Sequence, residues 1–281
     1  MTGRFRLRGT CALITIAWAL VTATSLSAHE FWIEPTSFAP EPGKIIGIRA
    51  RVGDGVLGDP VPRDPSLLEK LVVDSGTGAT PVVGRDGGDP AGLLRIAVGG
   101  LHVIGYLGKP TPVEIPVDTF NTYLHDEGLD AVITERARRG TSRLGARELF
   151  TRCAKTLVLA GTARPDQHDR RLGFPLELLA ETSPYSLPPN GELTVRLLFH
   201  GQPLPGALVT AIRRRNGERM SVRSDSSGRA RFTFPADGAW LIKSVHMTAP
   251  PVRANADWVS YWASLTFELP ANGQPAPAST H

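Results

Sequence analysis

The stretch that decides the fold is ELTVRLLFHGQPLPGALVTAIRRRNGERMSVRSDSSGRARFTFPADGAWLIKSVHM, residues 192–247. Its apolar residues come in short alternating blocks, each closed by a turn cluster at Gln202 to Gly206, Asn216-Gly217 or Ser226 to Gly228. Alternation with a period of two places successive side chains on opposite faces of a strand, and Gly, Asn and Pro supply the backbone angles of the reversals. The blocks Glu192 to Phe199, Ala207 to Arg213, Ala230 to Pro235 and Ala239 to Met247 are therefore read as strands, with Trp258 to Leu269 as a fifth. Five short strands at this spacing predict an antiparallel β-sandwich over 184–270.

Toward the N-terminus, Lys44 to Val52, Leu68 to Asp74, Leu93 to Val98 and His102 to Leu107 are apolar or alternating, between Gly/Pro/Asp-rich loops at 53–65 and 75–91. They predict a second β-domain over 29–183. Residues 118–153 break the pattern. Asp118 caps a helix over Thr119 to Glu127, closed by Gly128, and Leu129 to Arg139 continues helically to Gly140. A third helix is expected from Leu144 to Cys153, followed by a strand over Lys155 to Gly161. The expected fold is thus mainly β, two β-sandwich-like domains with a short helical insertion between them. Residues 271–281 are small, polar and Pro-rich, which predicts a disordered tail.

Residues 1–28 read as a cleaved signal peptide: Arg4, Arg6 and Arg8 open it, an apolar run from Cys11 to about Thr24 follows, and small residues lead to Ala28. The run is shorter than the roughly 20 residues of a membrane span, and Arg8-Gly9-Thr10 is not a lipid-attachment setting for Cys11. The expectation is export to the periplasm with His29 as the new N-terminus; a cut after Ser27 would instead leave Ala28 first. The chain carries 31 Lys plus Arg against 27 Asp plus Glu, and without the three signal arginines the balance is 28 against 27. That near neutrality excludes the concentrated basic charge of a nucleic-acid-binding domain, so no nucleic-acid partner is expected. Beyond Cys11 only Cys153 remains, so no intrachain disulfide is available and stability rests on apolar cores.

Seven segments carry a wider likeness: HEFWIEP at 29–35, IGYLGKPTPVEIP at 104–116, FNTYLHDEGLD at 120–130, RELFTRCAKTLV at 147–158, GFPLELL at 173–179, WLIKSVHM at 240–247 and DWVSYWASLTFEL at 257–269. In this order they resemble the exported family labelled as periplasmic components of cobalt/nickel uptake transporters, many members of which are known only as a domain of unknown function. The resemblance implies nickel or cobalt as the ion and membrane components of a metal-uptake transporter as partners. Separately, GQPLPGALVTAI at 201–212 with SDSSGRARFTFPADGAWLI at 224–242 resembles the prealbumin-like sandwich of carboxypeptidase regulatory domains. That likeness implies a module that binds or presents.

If cleavage follows Ala28, His29 offers an imidazole and a free α-amine that close a chelate ring on one divalent transition metal. Such nitrogen donors suit nickel, cobalt, copper or zinc, not magnesium or calcium. His246 shares a strand face with Trp240, Ile242 and Ser244 and is the best second contributor; His102, on a face with Ile104 and Tyr106, is a weaker third. Asp257 is an oxygen ligand, a partner that orients His246, or a cap at the start of a strand. His125 is read as complementing a helix C-terminus, and His168 and His200 as background. Phe31, Trp32, Trp240, Trp258, Tyr261 and Trp262 are read as core. HExxH, GxSxG, a Walker-type loop and CxxC are all absent from the sequence. The expected function is non-enzymatic: a periplasmic metal-binding protein assisting nickel or cobalt uptake. The alternatives are a copper-binding or homeostasis protein, a sandwich that binds protein or carbohydrate and no metal, and a copper oxidase built on an N-terminal histidine brace.

Overall fold

The computed structural model describes residues 30–164, 166–188, 190–235 and 237–270. The expected signal peptide over 1–28, the candidate ligand His29 and the expected tail over 271–281 lie outside the described residues. The chain begins with strands β1 (Glu30–Pro35), β2 (Ile45–Gly53), β3 (Gly58–Val61), β4 (Leu68–Asp74), β5 (Ala79–Pro81), β6 (Gly92–Arg95), β7 (Gly100–Gly108) and β8 (Thr111–Ile115). Helices α1 (Val117–Asp126) and α2 (Asp130–Arg139) follow, then β9 (Ala146–Ala160) and β10 (Leu176–Ala180). The remainder is β11 (Glu192–Phe199), β12 (Gln202–Pro203), β13 (Leu208–Arg213), β14 (Arg219–Arg223), β15 (Arg229–Thr233), β16 (Gly238–Thr248) and β17 (Trp258–Leu269). The protein is mainly β, as its alternating blocks predict.

These strands stack as three sheets. The central one runs β14-β13-β16-β17-β9-β7-β4-β5, with β8 paired to the first part of β9. Strands β10, β11, β12 and β15 cover one face, and β1, β2, β3 and β6 with the two helices cover the other. The second half of β9 is mostly apolar because it is covered on both faces: Cys153, Leu157 and Leu159 enter the core shared with β10 and β11, while Ala154, Val158 and Ala160 enter the core shared with β1 and β2. A strand buried on both faces has no polar side to show.

Two expectations are corrected here. The third helix expected over Leu144 to Cys153 is the first half of β9, because hydrogen bonding to β8 on one side and to β17 on the other outweighs the local helix propensity of Glu148, Leu149 and Arg152. The boundary expected near residue 183 is crossed by the central sheet, since β17 pairs in parallel with β9 from Trp258 opposite Glu148 to Thr266 opposite Thr156. Turn-bounded blocks locate strands but do not say which distant strand each one pairs with.

The helices match their expected spans, with one local difference. Pro116 is the N-cap of α1 and Asp118 lies in the first turn, where its charge suits the helix dipole. Gly140 closes α2 at φ 69°, a left-handed conformation that favours glycine. Phe120, Tyr123 and Leu124 of α1 and Val132 of α2 pack on Val245, Met247 and Trp258 of the central sheet. Among the described residues no helix is long and apolar enough to cross a membrane.

Candidate functional site

Alternation along β16 sends neighbouring residues into different layers. Trp240 and Ile242 enter the core beneath β11, and His246 follows them to that side, its ring centroid 4.5 Å from that of Phe199 at the end of β11. Leu241 packs with Trp32, Val245 and Met247 pack on the helices, and Lys243 pairs with Glu30 and Glu127 on the opposite side.

His246 has a second imidazole beside it. His200 also lies against Phe199, with 4.3 Å between centroids, and Tyr261, opposite His246 on β17, completes the group at 5.3 Å from Phe199 and 5.8 Å from His200. His200 and Gly201 form the two-residue turn between β11 and β12, at φ 45° and 78°. This turn demands left-handed backbone at both positions, which suits Asn-Gly and costs a histidine roughly 1–2 kcal/mol. A residue strained in this way is a pointer to function. Burial, and then the neighbouring His200, hold the His246 imidazole below its ordinary value, so near neutral pH it is an uncharged nitrogen donor. The sequence treats His200 as background; its place in the His-Gly turn was the available signal.

The other expected ligands lie elsewhere. His102, on β7, is buried with both nitrogens engaged: Nε2 donates to the Val98 carbonyl at 3.0 Å, which leaves Nδ1 to accept from the Ser75 hydroxyl at 2.7 Å. It has no lone pair left for a metal without losing the Ser75 bond. Burial pushes its pKa down, only partly countered by the Val98 bond. The Asp257 carboxylate is gripped by Arg147, at 2.9 Å from both the backbone N–H and Nη2. It ties the start of β17 to β9, the cap reading, and stands four residues from His246's partner Tyr261, ~13 Å along the strand. His125 sits exposed in the last turn of α1, as expected. Among the described residues no group of three or more His, Cys, Asp or Glu is arranged to hold a metal ion.

Two polar clusters on the helix side escape any reading by sequence. Glu30, next in the chain to His29, accepts from Lys243 at 3.1 Å and Arg219 at 3.2 Å, and Lys243 reaches Glu127 at 2.5 Å. Burial pushes the Glu127 carboxyl up against the pull of Lys243. Nearby, Oε1 of buried Glu148 accepts the hydroxyls of Tyr123 and Ser260, while Oε2 is buried without a hydrogen-bond partner among the described residues. Burial raises that carboxyl too. Trp32 is fully buried between Ile212 and Leu241, its indole N–H on Glu34 at 3.1 Å and the Arg214 guanidinium 4.3 Å from its ring centroid. Burial drives the Cys153 thiol up to about 12, which makes it inert as a thiolate ligand.

No curated protein matches the chain. Among solved structures, the tetra-tandem repeat in the extending region of a large adhesion protein is 13% identical, with 86% of this chain and 50% of that chain covered and a TM-score of 0.21. Dimeric latent PorU from Porphyromonas gingivalis is 12% identical, with 86% and 21% covered and a TM-score of 0.17. The chain therefore spans half or less of either, and at such scores neither likeness bears on its fold or function. The chain belongs to the family described as Domain of unknown function (DUF4198), whose model matches residues 26–248.

Proposed function

We propose that this is an exported, non-enzymatic protein that binds a transition metal in the periplasm and passes it to components of a membrane uptake transporter, with nickel or cobalt as cargo. The observation that carries the reading is the pair of imidazoles, His200 and His246, set against one phenylalanine at the rim of the layered sheets. Two imidazole nitrogen donors suit these ions. His200 is exposed on its turn and can swing to share an ion with His246. Two ligands leave positions open for water or for the ligands of a receiving protein, and a handover needs that exchangeability where a structural site would be closed by four. The seven segments that resemble the cobalt/nickel uptake family support the choice of ion.

His29 stays in the proposal as a separate chelate of imidazole and α-amine; the next residue, Glu30, pairs with Lys243 and Arg219 on the side of the sheet away from His246. Copper is the runner-up cargo, since it outranks nickel and cobalt for such donors in vitro whatever the biological ion. Titration of the purified mature protein tests the reading. Saturable binding of nickel or cobalt is expected, and none with nickel, cobalt, copper or zinc would leave a sandwich that binds protein or carbohydrate. Deleting the gene and limiting each metal in turn identifies the cargo as the ion whose scarcity then stops growth.

A further inference from the structure

Arg152, on β9, is half-buried on the β1 side of the central sheet, its guanidinium 4.5 Å from the Phe31 ring centroid and 5.3 Å from that of Phe150. Among the described residues no carboxylate pairs with it and no acceptor takes a hydrogen bond from it. Other half-buried arginines on this side are paired: Arg51 with Glu34 and Asp89, and Arg214 with Glu34. A desolvated guanidinium lacking a counter-charge is costly to keep, and burial accordingly lowers its pKa.

The backbone opens beside it. Leu107 pairs with Cys153 and Thr111 with Phe150, so Gly108, Lys109 and Pro110 oppose only Thr151 and Arg152. The extra residue falls in the break between β7 and β8, where regular pairing to β9 is interrupted. A cavity of about 230 Å³ results, walled by Leu67, Tyr106, Pro112 and Phe150, with Arg152 and Lys109 as its charged side chains. None of its lining residues is acidic. Asp64, close to Lys109, has its carboxylate occupied by the N–H and hydroxyl of Ser66 at 2.8 and 2.6 Å.

We propose that this cavity binds a small organic carboxylate, with the Arg152 fork taking the carboxylate and the Tyr106, Phe150 and Pro112 walls taking an apolar body. A guanidinium matches a carboxylate through two parallel N–H donors, and the Phe31 ring lies 4.5 Å from this one. The cavity equals about eight water volumes at ~30 Å³ each, room for one ring or a short chain but not for a nucleotide or a folded peptide. The bound acid supplies the missing counter-charge. The site stands on the β1 side of the sheet and His246 on the β11 side, so it is independent of the metal reading.

Calorimetric titration of the purified protein with sodium benzoate tests this, with inorganic phosphate as the comparison anion. Benzoate should bind saturably at one site and more tightly than phosphate, which lacks an apolar body. Arg152→Met should weaken it by about tenfold or more, the loss of a charge-assisted hydrogen-bond pair. Val113→Trp, which fills the cavity and leaves Arg152 in place, should do the same and keeps the test decisive should Arg152→Met fail to fold. No saturable binding at millimolar benzoate, phosphate binding as tightly as benzoate, or wild-type affinity in folded Val113→Trp would each overturn the proposal.

Discussion

Glu30 and Lys243 meet at 3.1 Å across two layers of the fold, and Lys243 stands three residues from His246 on β16 with its side chain on the other side of the sheet. The residue next to His29 is thus pinned on the helix side, and His246 faces β11. The proposal treats His29 and His246 as separate donor groups, and they make distinct predictions. In nickel titrations, adding one Gly before His29 should remove one binding event and leave the other, and His246→Ala should do the converse. Loss of the same event in both variants would mean that the two histidines share one ion.

His200→Asn separates the turn from the imidazole. Asparagine accepts left-handed backbone more readily than histidine and, followed by Gly201, suits this hairpin. The variant should be as stable as the wild type or slightly more so, while its nickel affinity at the His246 side falls at least about tenfold, the scale of one lost ligand. Thermal unfolding and metal titration on the same sample give both numbers. Unchanged affinity would return His200 to a turn residue and nothing more.

The histidines also set a pH dependence. His102 and His246 both have pKa values lowered from 6.5, in each case first by burial. Between their folded values and 6.5 the unfolded chain binds more protons, so stability falls as pH drops below 6.5 and is fully present above it. Urea midpoints measured from about pH 7.5 down to about 5.5 should therefore decline. His102→Gln should flatten part of that decline while lowering stability at every pH. An unaltered slope in this variant would assign the decline to other groups.

The strand blocks, the two helices and the inward turn of Trp240 and Ile242 were legible because each is a local pattern of period two or 3.6. Pairing partners were not. Leu144 to Cys153 has helix-favouring residues, and it is a strand because it pairs with β8 and with β17, the latter more than a hundred positions away. The site was half legible for the same reason. His246 could be placed on its strand face, but its neighbour His200 is 46 positions distant and comes close only when β11 is laid over β16. Arg152 lies in a segment that reads as helix, and what distinguishes it is the break between β7 and β8 opposite it.

Lys155 provides the strongest test of how the layers are held. Its side chain is 1% exposed on the β10 side of β9, with Nζ 2.8 Å from Asp169 and 3.3 Å from Glu177, and it donates to the carbonyls of Arg170 and Leu178 at 3.0 and 3.1 Å. The acids in turn accept backbone N–H groups, Asp169 from Ala180 and Glu177 from Leu172 and Gly173. The cluster therefore pins residues 169–180 to the central sheet. Lys155→Met keeps the stem's bulk but leaves two buried carboxylates without their cation, a loss of about 3–5 kcal/mol for a broken buried pair. By contrast, removing the Arg147 side chain from its ion pair with Asp257, where both are nearly half exposed, should cost about 0–1 kcal/mol. Burial already holds the Asp169 carboxyl above its ordinary 3.8 against the pull of Lys155, and losing that cation raises it further. The variant must then lose stability as pH rises through the carboxylate range, so its deficit should be largest near neutrality and shrink in acid. Denaturant midpoints at pH 7 and in mild acid decide it: a deficit within about 1 kcal/mol at pH 7, or one that grows on acidification, would show that the cluster does not hold the layers together.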